Sequence, residues 1–398
     1  MYNLKLDWNI ALCLEVLMKI IRRDKNPKNK DVIEERHERR IKSENQASDM
    51  EFTINLEDNY AKLQAFLKES TDVVFRKFKL GKLGIECALV YVDGLVDKTV
   101  IHNSILKPIM FETSELHIDH AYDFILNHAV TVADIKETNK LDEAILFIMS
   151  GEAALIIDGF DKVIIVSARG WPTRGISDPD TEGVIRGAKE GFTETLRTNT
   201  ALLRRKCKDP NMVIRTIRLG RRSKTDIAYV YIKGITNDEL IKELEERLNK
   251  IDIDQIIDSG HLEQLIQDNS WSPMPQVQAT ERPDKAVSNL MEGRIIILVD
   301  NSPFALIIPS TFAQFFQSPE DYNERWIVAS FIRILRWISS FLAVFTPAIY
   351  ISLVTYHPGL IPSRLALSIA ATRAGVPFPS IIEALLMETT IELLRESG

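Results

Sequence analysis

The sequence predicts an α/β protein, with two soluble α/β lobes followed by an α-helical membrane region. Three observations predict it. Strand-length runs of β-branched and aromatic residues alternate with stretches of helical apolar spacing as far as Ile308. The chain has 398 residues, which is more than one ordinary core of ~150 residues organises. From Trp337 to Tyr356 (WISSFLAVFTPAIYISLVTY) no charged side chain occurs, matching the ~20 apolar residues a helix needs to cross a bilayer. The expected divisions are a charged arm over 1–50, a first lobe over 51–150, a second over 151–318 and a membrane region over 319–398. In that last region, 337–356 is the span and an amphipathic helix covers about 379–396.

Each element has a local reason. Between Arg22 and Glu51 the mixture of Lys, Arg, Glu and Asn has too few apolar residues to bury, so this stretch reads as a solvated arm or frayed helix. Leu56, Tyr60, Leu63 and Leu67 form one helical face. Val73 to Lys79 and Ile85 to Val92 (IECALVYV) are strands joined through Gly81 and Gly84. The stretch after Asp93-Gly94, then Tyr122 to His128 and Asp142 to Ser150, reads as helical. A second unit is expected to begin near Gly151, where Ala153 to Ile157 and Lys162 to Val166 flank the turn pair Asp158-Gly159.

Phe192, Leu196 and Leu203 share a helix face that the polar Asn199 interrupts. Strands follow at Val213 to Leu219 and Ile227 to Ile232. Thr236 and Glu239 have capping-box spacing ahead of Leu240, Leu244, Leu248 and Ile251, an amphipathic helix. Pro273, Pro275 and Pro283 interrupt regular structure. Ile295 to Val299 and Phe304 to Ile308 then form a hairpin around Asp300 to Pro303. No repeat of fixed short period is expected.

Composition narrows the function. At 45% hydrophobic, 26% charged and net charge −7, the chain is globular and acidic, so nucleic acid is not an expected partner. Cys13, Cys87 and Cys207 are odd in number and far apart, which suggests neither a disulfide framework nor a metal site and fits a reducing compartment. In the apolar start, Glu15 and Lys19 break the run and arginines follow it instead of preceding it, so a cytoplasmic N-terminus is expected. Arg325, Arg333 and Arg336 flank the span against Arg364 and Arg373 beyond it, which favours soluble lobes on the cytoplasmic side.

Glu182 to Gly191 (EGVIRGAKEG) is glycine-spaced ahead of a helix, as phosphate-cradling loops are, but lacks the GxxxxGK[ST] spacing. His117 and His120 stand three apart without a third metal ligand, so surface or core histidines are the plainer reading. No Ser/His/Asp order and no reactive-cysteine setting emerges. No enzyme, cofactor or metal is therefore expected. After the span, Pro377 to Glu388 opens a helix carrying Ile381, Ile382, Leu385, Leu386, Leu393 and Leu394 with Glu383, Glu388 and Glu392. It lies in the interface with its acids in water, or neighbouring spans draw it inward with its carboxylates on an ion path.

Three stretches resemble the A subunit of the GerA-type nutrient germinant receptors of endospore-forming bacteria. They are Val90 to Met110 (VYVDGLVDKTVIHNSILKPIM), Thr181 to Arg205 (TEGVIRGAKEGFTETLRTNTALLRR), and His357-Pro-Gly-Leu-Ile-Pro362 with the later Val376 to Glu388 (VPFPSIIEALLME). The resemblance runs from about Leu56 to Ser397. It implies a spore inner-membrane protein whose soluble lobes join a multi-span membrane domain. It further implies a transporter-like B subunit and a lipoprotein C subunit as partners. Other A subunits would complete an oligomeric, ion-conducting ring that triggers germination in contact with membrane lipid. The family continues past the Pro-Phe-Pro helix into further spans that this sequence is expected to lack.

The residues expected to matter are Arg186, Glu190, Glu194 and Arg197, as an ion-pair network at a subunit or lobe interface. Pro347, Glu383, Glu388 and Glu392 are expected at the membrane or ion path. The alternative is a membrane-anchored α/β enzyme or phosphate-ligand sensor using the Gly183 to Gly191 loop.

Overall fold

The computed structural model describes residues 50–81, 84–111, 122, 125–126, 132, 134–171, 182, 187–269, 271–272, 274–318, 320–373, 375 and 378–397. The N-terminal arm, His117 and His120, and most of the helix expected at Tyr122 to His128 lie outside them.

The first compact unit ends at Thr311 and holds two antiparallel five-stranded sheets. In the first lobe, α1 (Leu56–Leu67) leads to β1 (Val73–Leu80) and β2 (Ile85–Val92). A helical stretch, α2, follows as Lys98–Val100, the π-helical Ile101–Leu106 and Lys107–Phe111. Then come β3 (Ile135–Thr138), α3 (Leu141–Met149), β4 (Ala153–Ile157) and β5 (Val163–Val166), giving the order β1-β2-β4-β5-β3. Asn55 starts α1 by accepting from the Glu57 amide at 2.8 Å, which satisfies one of the free donors of the first turn.

The near-continuous apolar run of β2 is explained by burial on both faces. Cys87, Leu89 and Tyr91 join the core beneath α2, whereas Ala88, Val90 and Val92 join the core beneath α1 and α3.

The division expected near Gly151 is corrected here. β4 pairs with β2 in the register Cys87↔Ile157 to Val90↔Ala154, so the hairpin β4-β5 completes the first sheet instead of opening the second. Gly151 ends α3: its φ of 86° is the left-handed backbone that favours glycine, and its amide donates back to the Ile148 carbonyl. A helix stop inside a lobe and a linker between lobes look alike in sequence.

The second lobe contains α4 (Leu196–Lys206), β6 (Met212–Leu219), β7 (Thr225–Ile232), α5 (Asp238–Lys250), α6 (Ser259–Ile266), β8 (Gln278–Thr280), α7 (Pro283–Met291), β9 (Ile295–Val299) and β10 (Ala305–Ile308). Its order is β6-β7-β9-β10-β8. Residues from α4 and α7 share one core with the sheet and residues from α5 and α6 share the other. The cap of α5 is Asn237, which accepts from the Glu239 amide at 3.1 Å, whereas the Thr236 hydroxyl accepts from the Ile232 amide at 3.3 Å. The expected Thr236 cap is thus displaced by one residue.

The two lobes repeat one another. β2 and β7, and the caps Asp97 and Asn237, stand 140 positions apart (225 − 85; 237 − 97), and Val90-Tyr-Val-Asp-Gly94 matches Val230-Tyr-Ile-Lys-Gly234 at the same offset. Asn59 accepts from the Thr53 amide at 2.8 Å and donates to the Thr53 carbonyl at 2.5 Å; Asn199 does the same with Thr193 at the same two distances. Asp158 accepts from the Leu56 amide at 3.0 Å, as Asp300 does from Leu196 at 3.1 Å. The polar break that Asn199 makes in its helix is therefore a buried amide hydrogen-bonded through both its oxygen and its nitrogen.

The second compact unit is made chiefly of the chain from Phe312. A 3₁₀ turn (Phe312–Phe316) and α8 (Glu320–Asn323) precede α9 (Trp326–Thr355), α10 (Ser363–Arg373) and α11 (Ser380–Ser397). Asp321, 1% exposed, takes Arg336 at 2.9 Å and Arg333 at 3.3 Å, anchoring the start of α9. Burial pushes its carboxyl up, but the hydrogen bond and charge of Arg336, the Ser318 amide and Arg333 outweigh that and hold it below the usual aspartate range.

Candidate functional site

α9 is long and apolar enough to cross a bilayer, and none of its most apolar eighteen-residue stretch is buried. Thirty helical residues rise about 45 Å at 1.5 Å each, more than the hydrocarbon core requires. Pro347 lies inside it and has no N–H, so the Ala343 carbonyl loses its helical donor.

α11 runs back alongside α9. Thr355 Oγ1 donates to Ser380 Oγ at 3.2 Å, and eight residues on, Glu388 lines a groove of about 700 Å³ with Thr346, Pro347, Tyr350, Glu383 and Met387. The structure thus brings together Pro347, Glu383 and Glu388, but not Glu392, which pairs with Arg395 on the exposed end of α11. An interfacial helix was the first expectation for α11. Here α11 packs along α9 of the same chain.

The soluble motif is arranged differently from the expected network. Arg186 lies outside the described residues. Glu190 pairs with Lys206 at 3.1 Å and Arg205 at 3.3 Å, and although burial pushes its carboxyl up, these two cations hold it below the usual range. Arg197 reaches Asp93 at 3.0 Å, while Glu194 is exposed and uses its backbone carbonyl to accept from the Asn301 amide at 2.7 Å. Glu190 and Arg197 therefore serve separate contacts.

The arginines that organise this region escaped the sequence reading. Arg204, 1% exposed, grips Asp72 through Nε at 2.8 Å and Nη2 at 2.9 Å, and Nη2 also donates to Ser70 Oγ at 3.1 Å. Beside it the Thr71 amide donates to the Ile214 carbonyl at 2.8 Å. These bonds join the first lobe to the second. The signal was present in the spacing: Leu196, Thr200 and Arg204 lie i, i+4, i+8 on a buried face of α4.

Arg282, fully buried, donates to the Glu182 and Ala188 carbonyls, both at 3.1 Å, and pairs with Asp284 at 2.7 Å. Glu182 in turn takes Lys285 and the Thr280 hydroxyl, each at 2.5 Å. Residues 183–186 lie outside the described residues, but both flanks of the glycine loop turn carbonyl oxygens toward a cation. That polarity suits loop anchoring, whereas a phosphate cradle presents amides. Among the described residues no group of three or more His, Cys, Asp or Glu is placed to hold a metal. Burial pushes the Cys87 thiol up to about 12, which removes it as a nucleophile.

The family model described as Bacillus/Clostridium GerA spore germination protein matches residues 61–398. The chain belongs to the GerA family. Spore germination protein KA of Bacillus subtilis (strain 168) is 41% identical over 345 residues, 86% of this chain and 63% of that protein. Spore germination protein B1 of the same organism is 42% identical over 354 residues, 88% of this chain and 72% of that protein. The chain thus spans less than two thirds of the KA length. The crystal structure of the N-terminal domain of the A subunit of the Bacillus megaterium spore germinant receptor GerK3 is 34% identical with a TM-score of 0.52. It covers 66% of this chain and 98% of its own. The GerA resemblance read from the three motifs and the α/β fold class are both borne out. The germination proteins that it matches carry names of germination function and none of catalysis.

Proposed function

We propose that this GerA-family chain acts as the A subunit of a nutrient germinant receptor in the spore inner membrane. Its soluble lobes face the cytoplasm, and α9 and α11 contribute to an oligomeric assembly that conducts ions when nutrient binds. A transporter-like B subunit and a lipoprotein C subunit are its partners, and it performs no catalysis. The observation carrying the ion path is the groove where Pro347, Glu383 and Glu388 meet beside an apolar helix with no buried core. Carboxylates at membrane depth cost ~2.5–3.5 kcal/mol each on insertion scales and persist where they face water or an ion route. Pro347 adds a carbonyl dipole freed from its helix bond, the kind of ligand that replaces hydration along ion paths.

The test is the initial rate of cation release from spores after nutrient addition. Glu383→Gln and Glu388→Gln are each expected to lower it about tenfold, with normal amounts of protein in the membrane. Unchanged release from the double variant would remove the ion-path reading and leave family membership untouched. The phosphate-sensor alternative gains nothing from a loop whose flanking carbonyls are taken by Arg282.

A further inference from the structure

Within the chain the lobes meet through unlike surfaces. The first lobe offers one end, made of the turn Asp93-Gly94, the Asp72 carboxylate and Met149 at the close of α3. The second offers the outer face of α4. Arg197 reaches Asp93 at 3.0 Å, and Arg204 binds Asp72 and donates to Met149 Sδ at 3.5 Å. Gly94 is where the backbones approach: a Cβ added there would stand 3.6 Å from Ala201 Cβ and 3.4 Å from the Arg197 carbonyl oxygen. Ala201 belongs to the first lobe's core although α4 starts the second lobe.

Because the lobes repeat, each carries both surfaces, and one of each is left over. On α1, Glu57, Ala61 and Gln64 occupy the positions of Arg197, Ala201 and Arg204. At the end of the second lobe, Lys233-Gly234 and Met291 occupy those of Asp93-Gly94 and Met149. Both leftover surfaces are open. Glu57 and Ala61 are exposed, a Cβ on Gly234 would meet nothing within 4 Å, and Met291 is 46% exposed where Met149 is 1%.

Their chemistry is complementary. Inside the chain an aspartate on the turn meets an arginine on the helix; the open turn carries a lysine and the open helix a glutamate. The small alanine that admits the glycine turn is kept. The buried pair is replaced on both sides, Asp72 by Met212 and Arg204 by Gln64, so no charge would be orphaned on docking. Glu57 now pairs with Lys77 at 2.5 Å and Lys233 with Glu69 at 2.7 Å, partly exposed pairs of the kind that exchange partners at little cost.

The geometry points to a head-to-tail contact between two copies of this chain, in which the Lys233-Gly234 end of one second lobe docks on the Glu57-Ala61-Gln64 face of the next first lobe. Such a heterologous contact propagates around a ring or along a filament. The inference rests on the oligomeric reading above and specifies its soluble interface.

The test uses the full chain in membranes, carrying Cys13→Ser, with Glu57→Cys or Lys233→Cys; Cys87 and Cys207 are buried. On mild oxidation a mixture of the two single-cysteine chains is expected to give a crosslinked dimer that neither gives alone, and chains carrying both a ladder. Glu57→Lys and Lys233→Glu should each cut the oligomeric fraction about tenfold, and their combination in one chain should restore it, which misfolded variants would not do. If native mass measurement finds oligomers but these cysteines stay unlinked, or Glu57→Cys chains link to one another, the head-to-tail contact is wrong and the oligomeric reading stands. A monomeric chain overturns both.

Discussion

Replacing Arg204 by alanine would leave the Asp72 carboxylate buried against the second lobe without its bidentate partner. A loss of ~3–5 kcal/mol is the expected consequence, read as a lowered urea midpoint of the purified chain in detergent. Arg204→Met combined with Asp72→Leu should lose much less, because no charge then remains in the joint. Asp321 gives a pH signature of known sign. Its carboxyl titrates below the ordinary value of 3.8, so the stability it contributes is complete above that value and fades as pH falls through the lowered one. Amide exchange at Ser318, which donates to Asp321 at 3.1 Å, should accelerate only in that acidic window, and Asp321→Asn should remove the dependence. Acceleration beginning near neutral pH would refute the assignment.

Secondary elements show the same chemistry used twice. Asn59→Ala and Asn199→Ala each take the hydrogen-bond partner from the amide and carbonyl of one threonine, Thr53 or Thr193, neither of them buried, and each should cost ~0.5–1.5 kcal/mol in thermal or urea unfolding. Markedly unequal losses would contradict the equivalence of the two lobes. Strands buried on both faces, such as β2 and β7, were legible because their apolar runs have strand length and glycine ends. The short edge strands β3 and β8, IKET and QAT, were not, since an edge needs little apolar surface to hold its place. Membership of β4 and β5 was misassigned because pairing with β2 is a long-range choice that local pattern does not encode. At the candidate site, the presence of Pro347 and the α11 carboxylates could be read, but their meeting in one groove depends on how α11 turns back after the His357-Pro-Gly segment. Buried arginines were the larger omission, since residue type alone places them in water.

For the whole molecule, a repeat of about 140 positions reorganises what the motifs mean. The Val90 to Met110 and Thr181 to Arg205 stretches look independent in sequence, yet the structure sets the Asp93-Gly94 turn of one against α4 of the other. Both motifs thus supply residues to the joint between lobes, and it is this joint that the proposed assembly would copy between chains.

The path of Ala201 into the first lobe's core has a consequence for synthesis. A ribosome that has released the chain through Val166 has delivered every strand of the first sheet, but not the helix that covers Met149 and neutralises Asp72. The nascent first lobe therefore emerges with a sticky apolar end and a waiting carboxylate. It closes only when residues 196–206 clear the exit tunnel, so pausing translation between those two points would leave a species prone to chaperone capture.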